Sequence, residues 1–197
     1  MAKKAKELKR CFWVDLNKDY YIEYHDREWG VPVHDDKTHF EFLILEGAQA
    51  GLSWTTILSR REGYRKAYSN FDVKKVAKYD EKKIQSLLQD EGIIRNKLKV
   101  YGSVTNAKLF IEIQKEFGSF NNYIWSFVGH KVINHKCKTR ADVKPTTKES
   151  DALSKDMKKR GFKFCGSTIM YAHMQACGLV NDHTIDCFRH KSVSKIK

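Results

Sequence analysis

Proline is nearly missing from this chain, with only Pro32 and Pro145 in 197 residues. The strict apolar–polar alternation of strands is equally scarce, so long stretches are free to run as helix and a mostly helical protein is expected. No run of about 18 uncharged apolar residues occurs, so no membrane span is expected. The basic N-terminus, Ala2 to Arg10, lacks the apolar core of a signal peptide. Acidic residues are in deficit: 24 Asp and Glu stand against 37 Lys and Arg, a net charge of +13. That imbalance points to an anionic partner, nucleic acid first, with an acidic membrane surface or plain solubility as the alternatives. Five cysteines, an odd and scattered set, suit reduced thiols or metal ligands better than a disulfide framework. Repeats and low-complexity segments are absent, and the length fits one domain that can divide into two lobes.

Against this charged background, Phe42–Ser59 (FLILEGAQAGLSWTTILS) contains one charged residue, Glu46. A lone carboxylate in such a run is expected near or inside the interior. There it must be hydrogen-bonded, neutralised or kept for a function. Gly47, Gly51 and Ser53 suit a helix ending near Gly47, a tight turn through Gly51, and a new helix capped by Ser53 and reaching about Tyr68. Glu46 would then face a loop, with Trp54 on the far side.

The N-terminal segment is dense in aromatics: Phe12, Trp13, Tyr20, Tyr21, Tyr24 and Trp29. A short helix is expected over Tyr20–Tyr24, broken by Gly30 and Pro32, and Asp35 or Asp36 can cap the next one. Helices are expected at Glu81–Leu88 and Asn96–Phe117, joined by a turn at Gly92. This helix-hairpin-helix outline can hold a phosphate on backbone N–H groups without reading sequence, aided by Arg95, Lys97 and Lys99. An ordinary helical hairpin with a glycine cap explains the same residues. Further helices are expected at Ser119–Val128, Ser150–Lys159 and Ser167–Cys177, with an irregular connection over Lys131–Pro145. Lys3, Lys4, Lys6, Lys9 and Arg10 read as a solvated basic arm, residues 1–10, and Lys191–Lys197 as a basic tail.

His183 and Cys187 have the H-x3-C spacing that brings two ligands to one side of a helical turn, and with Cys11 and His25 they would complete a Cys2His2 zinc site clipping the chain ends together. His173 and Cys177 are a rival pair of the same spacing. They lie in an apolar helix, where both types are commonly core residues. The remaining histidines, His34, His39, His130, His135 and His190, read as surface or structural, and Cys137 and Cys165 as plain thiols.

With these segments in view, the chain resembles the constitutive bacterial DNA-3-methyladenine glycosylase I family. The matching blocks are RCFWV, YHDREWGVPVHDD, FEFLILEGAQAGLSWTTIL, FDVKKVA, DEGIIRNKLKV, WSFV, SDALSKDMKKRGFKFCGSTIMYAHMQACGLVNDH and Cys187. The resemblance implies an all-α helix-hairpin-helix glycosylase fold over residues 11–190, with two packed helical lobes. It implies one structural Zn2+ on Cys11, His25, His183 and Cys187, joining the N- and C-terminal segments. It places the base pocket at Glu46, the catalytic residue, with Tyr24, Trp29 and Trp54, and Trp13 and Tyr21 as walls. DNA contact is assigned to Gly92, Ile93, Arg95 and Lys97, and the Gly51-Leu52 turn beside the pocket is a candidate wedge. The implied activity is hydrolysis of the N-glycosidic bond of 3-methyladenine in double-stranded alkylated DNA, leaving an abasic site. The enzyme would be a monomer of the bacterial cytoplasm. Beyond Lys99 the next carboxylate is Glu112, too deep in its helix to match the aspartate of other helix-hairpin-helix glycosylases, so no lyase activity is expected. Two other readings remain: a zinc-stapled DNA-binding module without catalysis, and a glycosylase accepting other alkylated purines.

Overall fold

The computed structural model describes residues 8–196; Lys3, Lys4 and Lys6 of the basic arm lie outside the described residues. The centre of the molecule is a helix, α2 (Asp36–Gln49), that follows α1 (Asp19–Glu23) and a π-helical turn (Tyr24–Glu28). Ten consecutive residues of α2, His39 to Ala48, are buried. A helix buried on every side must run through a core rather than over it. Asp35 is the cap, its Oδ1 accepting from Thr38 N at 2.8 Å. The helix continues two residues past Gly47, because that glycine's role is packing: a Cβ there would lie 3.4 Å from Phe164 Cβ. The turn is made instead by Gly51, at φ +77°.

Ser53 caps α3 (Trp54–Leu58) as its position predicts, accepting from Thr56 N at 3.2 Å. The single helix expected as far as Tyr68 is divided, and α4 (Arg61–Ala67) starts anew. Ser59 Oγ and Arg60 Nη1 both donate to Thr56 O. Such side-chain bonds compete with the helical ladder and favour a break. Then follow α5 (Val73–Val76), α6 (Glu81–Gln89) and the long α7 (Lys97–Phe117), capped by Asn96. Next come α8 (Phe120–Ser126), α9 (Lys148–Arg160) and α10 (Ser167–Ala176). The segment expected to be irregular holds β1 (Ile133–Asn134), which pairs in parallel with β2 (Val180–Asn181).

α2 packs against α3, α7, α8 and α10, so one core joins residues from Cys11 to Cys187. The chain ends are bound into it. Lys9 O accepts from Phe188 N at 2.9 Å, and Arg10 grips Asp26 with two nitrogens. The last helix, α11 (Phe188–Val193), runs three residues into the segment expected to be a basic tail and buries Val193. Among the described residues no helix is long and apolar enough to cross a membrane.

Candidate functional site

Glu46 sits on the penultimate turn of α2 and is 3% exposed. Its Oε2 has no hydrogen-bond partner, and burial pushes its carboxyl up to about 8. It lines a cavity of about 270 Å³ whose other walls include Trp13, Tyr21, Tyr24, Trp29 and Trp54. All five aromatics expected around the carboxylate line the same cavity, four from the N-terminal segment and Trp54 from the start of α3. Trp13 meets Trp29 edge-to-face at 4.8 Å and Tyr21 at 5.4 Å, and Tyr24 lies 5.4 Å from Trp54. Burial, and then the charge of Glu46, raise the Tyr24 phenol well above its ordinary value, so it remains a donor. Trp54 Nε1 is also buried without a partner. An unmet acceptor and an unmet donor on the walls of one cavity are what a planar ligand with both functions would satisfy.

Behind this wall lies the cysteine–histidine cluster. Cys11, His25, His183 and Cys187 are all buried, with donor atoms within 4.8 Å of one another. His183 Nδ1 is 3.4 Å from Cys11 Sγ and 3.5 Å from Cys187 Sγ, and His25 Nε2 is 3.5 Å from Cys187 Sγ. A tetrahedral ion at about 2.0–2.1 Å from nitrogen and about 2.3 Å from sulfur sets N···S at about 3.5 Å. The outer nitrogens are used as metal-site histidines use them: His25 Nδ1 pairs with Asp26 Oδ1 at 2.7 Å, and His183 Nε2 donates to Trp29 O at 3.0 Å. The Cys187 thiol is held far below its ordinary range, first by the Cys11 thiol, while the Cys11 thiol is raised above its own, first by Cys187 and then by burial, so one ligating thiolate is favoured. The residues present therefore fit a metal ion. Gly30, at φ +77°, passes so close that a Cβ would lie 3.0 Å from His183 Nε2.

The hairpin between α6 and α7 is present, but much of its backbone is engaged internally. Gly92 N donates to Asp90 Oδ1, Ile93 N to Asp90 O and Ile94 N to the Tyr64 hydroxyl. Ile93 is buried. Gly92 presses on α4, where a Cβ on Gly63 would lie 2.1 Å from Gly92 O. The compactness of Gly92 is thus accounted for by packing, and the exposed residues at the hairpin turn and the start of α7 are Glu91 and Arg95 to Leu98. Gly51 and Leu52 are exposed on the loop between Gln49 and Trp54, two residues that line the cavity.

A profile of the methyladenine glycosylase family matches residues 13–190. The chain belongs to the methyladenine glycosylase family. Within it, DNA-3-methyladenine glycosylase 1 of Escherichia coli is 47% identical over 180 residues, covering 91% of this chain and 96% of that protein. DNA-3-methyladenine glycosylase of Haemophilus influenzae is 47% identical over 178 residues, covering 90% and 96%. A crystal structure of 3-methyladenine DNA glycosylase I superposes with a TM-score of 0.90 at 45% identity, covering 92% of this chain and 100% of that one. The Staphylococcus aureus 3-methyladenine DNA glycosylase I, solved for the structural basis of 3-methyladenine recognition, gives 0.85 at 34% identity, covering 87% and 91%.

In this member of the methyladenine glycosylase family, sequence reasoning passed over several residues. Phe12, Gln49, Gln175 and Asp182 also line the cavity. Burial raises the Asp182 carboxyl, but bonds from His135, Tyr171 and Gln175 outweigh it and hold the group below its usual range. Its place next to the ligand His183 was the available signal. Lys99 gave no signal beyond its charge. Its Nζ donates to Ala48 O and Ala50 O, each at 2.7 Å, satisfying carbonyls at the end of α2 and tying the Gly51-Leu52 loop to the hairpin helix.

Proposed function

We propose that this protein hydrolyses the N-glycosidic bond of 3-methyladenine in double-stranded DNA, as a monofunctional, monomeric glycosylase, releasing the base and leaving an abasic site. The observation that carries this reading is the partnerless Glu46 Oε2 inside an aromatic cavity. Methylation at N3 makes the attached purine cationic and weakens its bond to the sugar. The leaving group then needs little acid help, and the task becomes extraction, selection and positioning. Trp29 and Trp54 supply ring faces for the cation, worth roughly 0.5–2 kcal/mol per good contact. Glu46 accepts from the exocyclic amine and offsets the charge, while Tyr24, Trp13 and Tyr21 hold the base plane.

Because burial holds the Glu46 carboxyl near 8, it is largely neutral at pH 7 before the base arrives. A cation at hydrogen-bond distance draws the proton off, so entry of the charged base is coupled to ionisation. A neutral adenine supplies no such pull and gains less from the ring faces. Discrimination therefore rests on differential electrostatics. The ionised Asp182, which also lines the cavity, adds negative potential.

Absence of lyase chemistry is supported by the lining, which among the described residues contains no lysine to form a Schiff base. Cys11, His25, His183 and Cys187 would hold a Zn2+ ion, which supplies a structural cross-link; with four protein ligands it has no open position for a reacting water. Arg95 and Lys97 are the proposed phosphate contacts, with the exposed Leu52 at the Gly51 turn as the wedge.

Methylated duplex DNA incubated with the purified protein is expected to release free 3-methyladenine, read by chromatography. Salt-sensitive binding without any released base would instead mark a non-catalytic DNA-binding module. Release of other alkylated purines at comparable rates would widen the substrate class. Lys99→Met removes both carbonyl bonds while keeping the stem. Excision is expected to fall about 10-fold, the size of one or two lost charged hydrogen bonds, with Glu46 chemistry intact. Unchanged single-turnover excision by Lys99→Met would remove the loop-positioning role.

A further inference from the structure

A second group of ligating side chains lies outside the cavity and outside the Cys11–His25–His183–Cys187 cluster. His39, two turns before Glu46 on α2, meets His173 at the end of α10 and Cys177 just beyond it. All three are fully buried, at 0% exposure. His39 Nδ1 is 3.3 Å from His173 Nε2, which is 3.6 Å from Cys177 Sγ, and the three donor atoms lie within 4.8 Å of one another. Tetrahedral coordination at about 2.0–2.1 Å for nitrogen and about 2.3 Å for sulfur requires N···N near 3.3 Å and N···S near 3.5 Å. Both separations match it, as do those of the first cluster.

Hydrogen bonding accounts for the arrangement less well. His173 Nε2 faces both His39 Nδ1 and Cys177 Sγ, yet one imidazole nitrogen carries either one proton or one lone pair. It can serve one neighbour fully and not both. Burial favours the neutral form of both rings and equally the neutral Cys177 thiol, so an ion binding here would have to displace the thiol proton. Asn121 lies beside His39 and favours a proton on that ring. Asn121 Oδ1 and His39 Nε2 are both buried without a hydrogen-bond partner. His173 Nδ1 has no partner. Three polar side chains sunk between two apolar helices are costly without a shared partner, and one ion would serve all three.

We propose that His39, His173 and Cys177 form a second metal site, its two nitrogens and one sulfur suited to Zn2+ and its substitute Co2+. Two histidines and a thiolate select borderline-soft ions over the oxygen-loving ones. Through it α10 is cross-linked to the helix that carries Glu46. Seven residues of helix separate His39 from Glu46, about 10 Å along the axis and on the same side.

Purified protein incubated with excess Zn2+ and desalted is expected to retain two zinc equivalents by elemental analysis. His39→Leu, His173→Phe and Cys177→Ala, apolar replacements in an apolar surround, are each expected to retain one, with native circular dichroism. X-ray absorption of the wild-type zinc protein needs no variant: two sites average about 1.5 sulfurs per zinc, whereas the first cluster alone gives 2. A single equivalent in the wild type, two equivalents in the folded variants, or an average of 2 sulfurs per zinc would each overturn the proposal.

Discussion

Glu46→Gln is expected to lower excision of 3-methyladenine about 10- to 100-fold while making the protein more stable at alkaline pH. The loss follows from replacing a charge-assisted bond to a cationic base by a neutral one, a difference of about 1.5–3 kcal/mol. The gain follows from burial. The Glu46 carboxyl is pushed up to about 8 from an ordinary 4.5, with desolvation as the cause and no partner on Oε2. A group whose folded value is raised binds its proton more tightly when folded. Its contribution is fully present below about pH 4.5 and is lost as pH rises through about 8. Above that, ionisation in the empty cavity costs several kcal/mol, about 5 at most. Glutamine has no such titration. Denaturant unfolding of both proteins at about pH 4.5 and pH 9 checks the sign: the gap between them should be smallest at the acid value and widest at pH 9, where glutamine is the more stable. The same ionisation predicts that wild-type kcat/KM for methylated DNA rises from pH 6 to 8, and that the glutamine variant loses this rise. A glutamine variant that excises at the wild-type rate, or is the weaker of the two at pH 9, would refute the role given to this carboxylate.

Loss of the metal is the second large effect. Cys187→Ser should lose the zinc equivalent held by this cluster, about 3–5 kcal/mol of stability, and nearly all excision. Structural zinc sites contribute directly to folding free energy, and here the ligands come from residues 11–25 and 183–187, the two ends of the chain. The pocket depends on the same cluster. Trp13 lies between two ligands in sequence and packs 5.3 Å from His25, and the Trp29 carbonyl accepts from His183 while its ring lies 4.6 Å from that imidazole. Releasing the cluster therefore loosens two of the five aromatic walls together with the fold. Elemental analysis paired with unfolding curves, for the variant and for chelator-treated wild type, measures both consequences. Unaltered zinc content in Cys187→Ser would remove it from the ligand set, and unaltered stability after chelation would make the ion incidental.

Local signals were legible in the residues. Caps act within about four positions, which is why Asp35 or Asp36, Ser53 and Asn96 could mark the starts of α2, α3 and α7, and Asp35 is the one that caps α2. Gly51 could be assigned a turn because its left-handed φ favours a residue without Cβ. A single charge in an apolar run identified Glu46 as interior because the desolvation of a carboxylate does not depend on fold. The matching blocks carried the pocket aromatics and the ligand pairs as a set.

What the chain order could not convey was which distant groups meet. Gly47 read as punctuation and Gly63 carried no signal, yet one lies against Phe164 and the other against the Gly92 carbonyl, so both are small for packing. Lys99 read as charge for a phosphate, whereas it holds two carbonyls about fifty residues away in sequence. His39 read as structural and His173–Cys177 as a core pair, until α2 and α10 packed and put three donors around one point. Sequence alone determined the helical class, the basic character and the lone carboxylate in an apolar run, and it singled out the residues proposed to bind a cationic base or a metal. Tertiary structure alone decided that Glu46 Oε2 has no partner, that Asp182 is fully bonded, and that the hairpin's N–H groups are partly engaged. Those outcomes depend on pairings between residues far apart in the chain, and hydrogen-bond satisfaction and desolvation are properties of the packed interior.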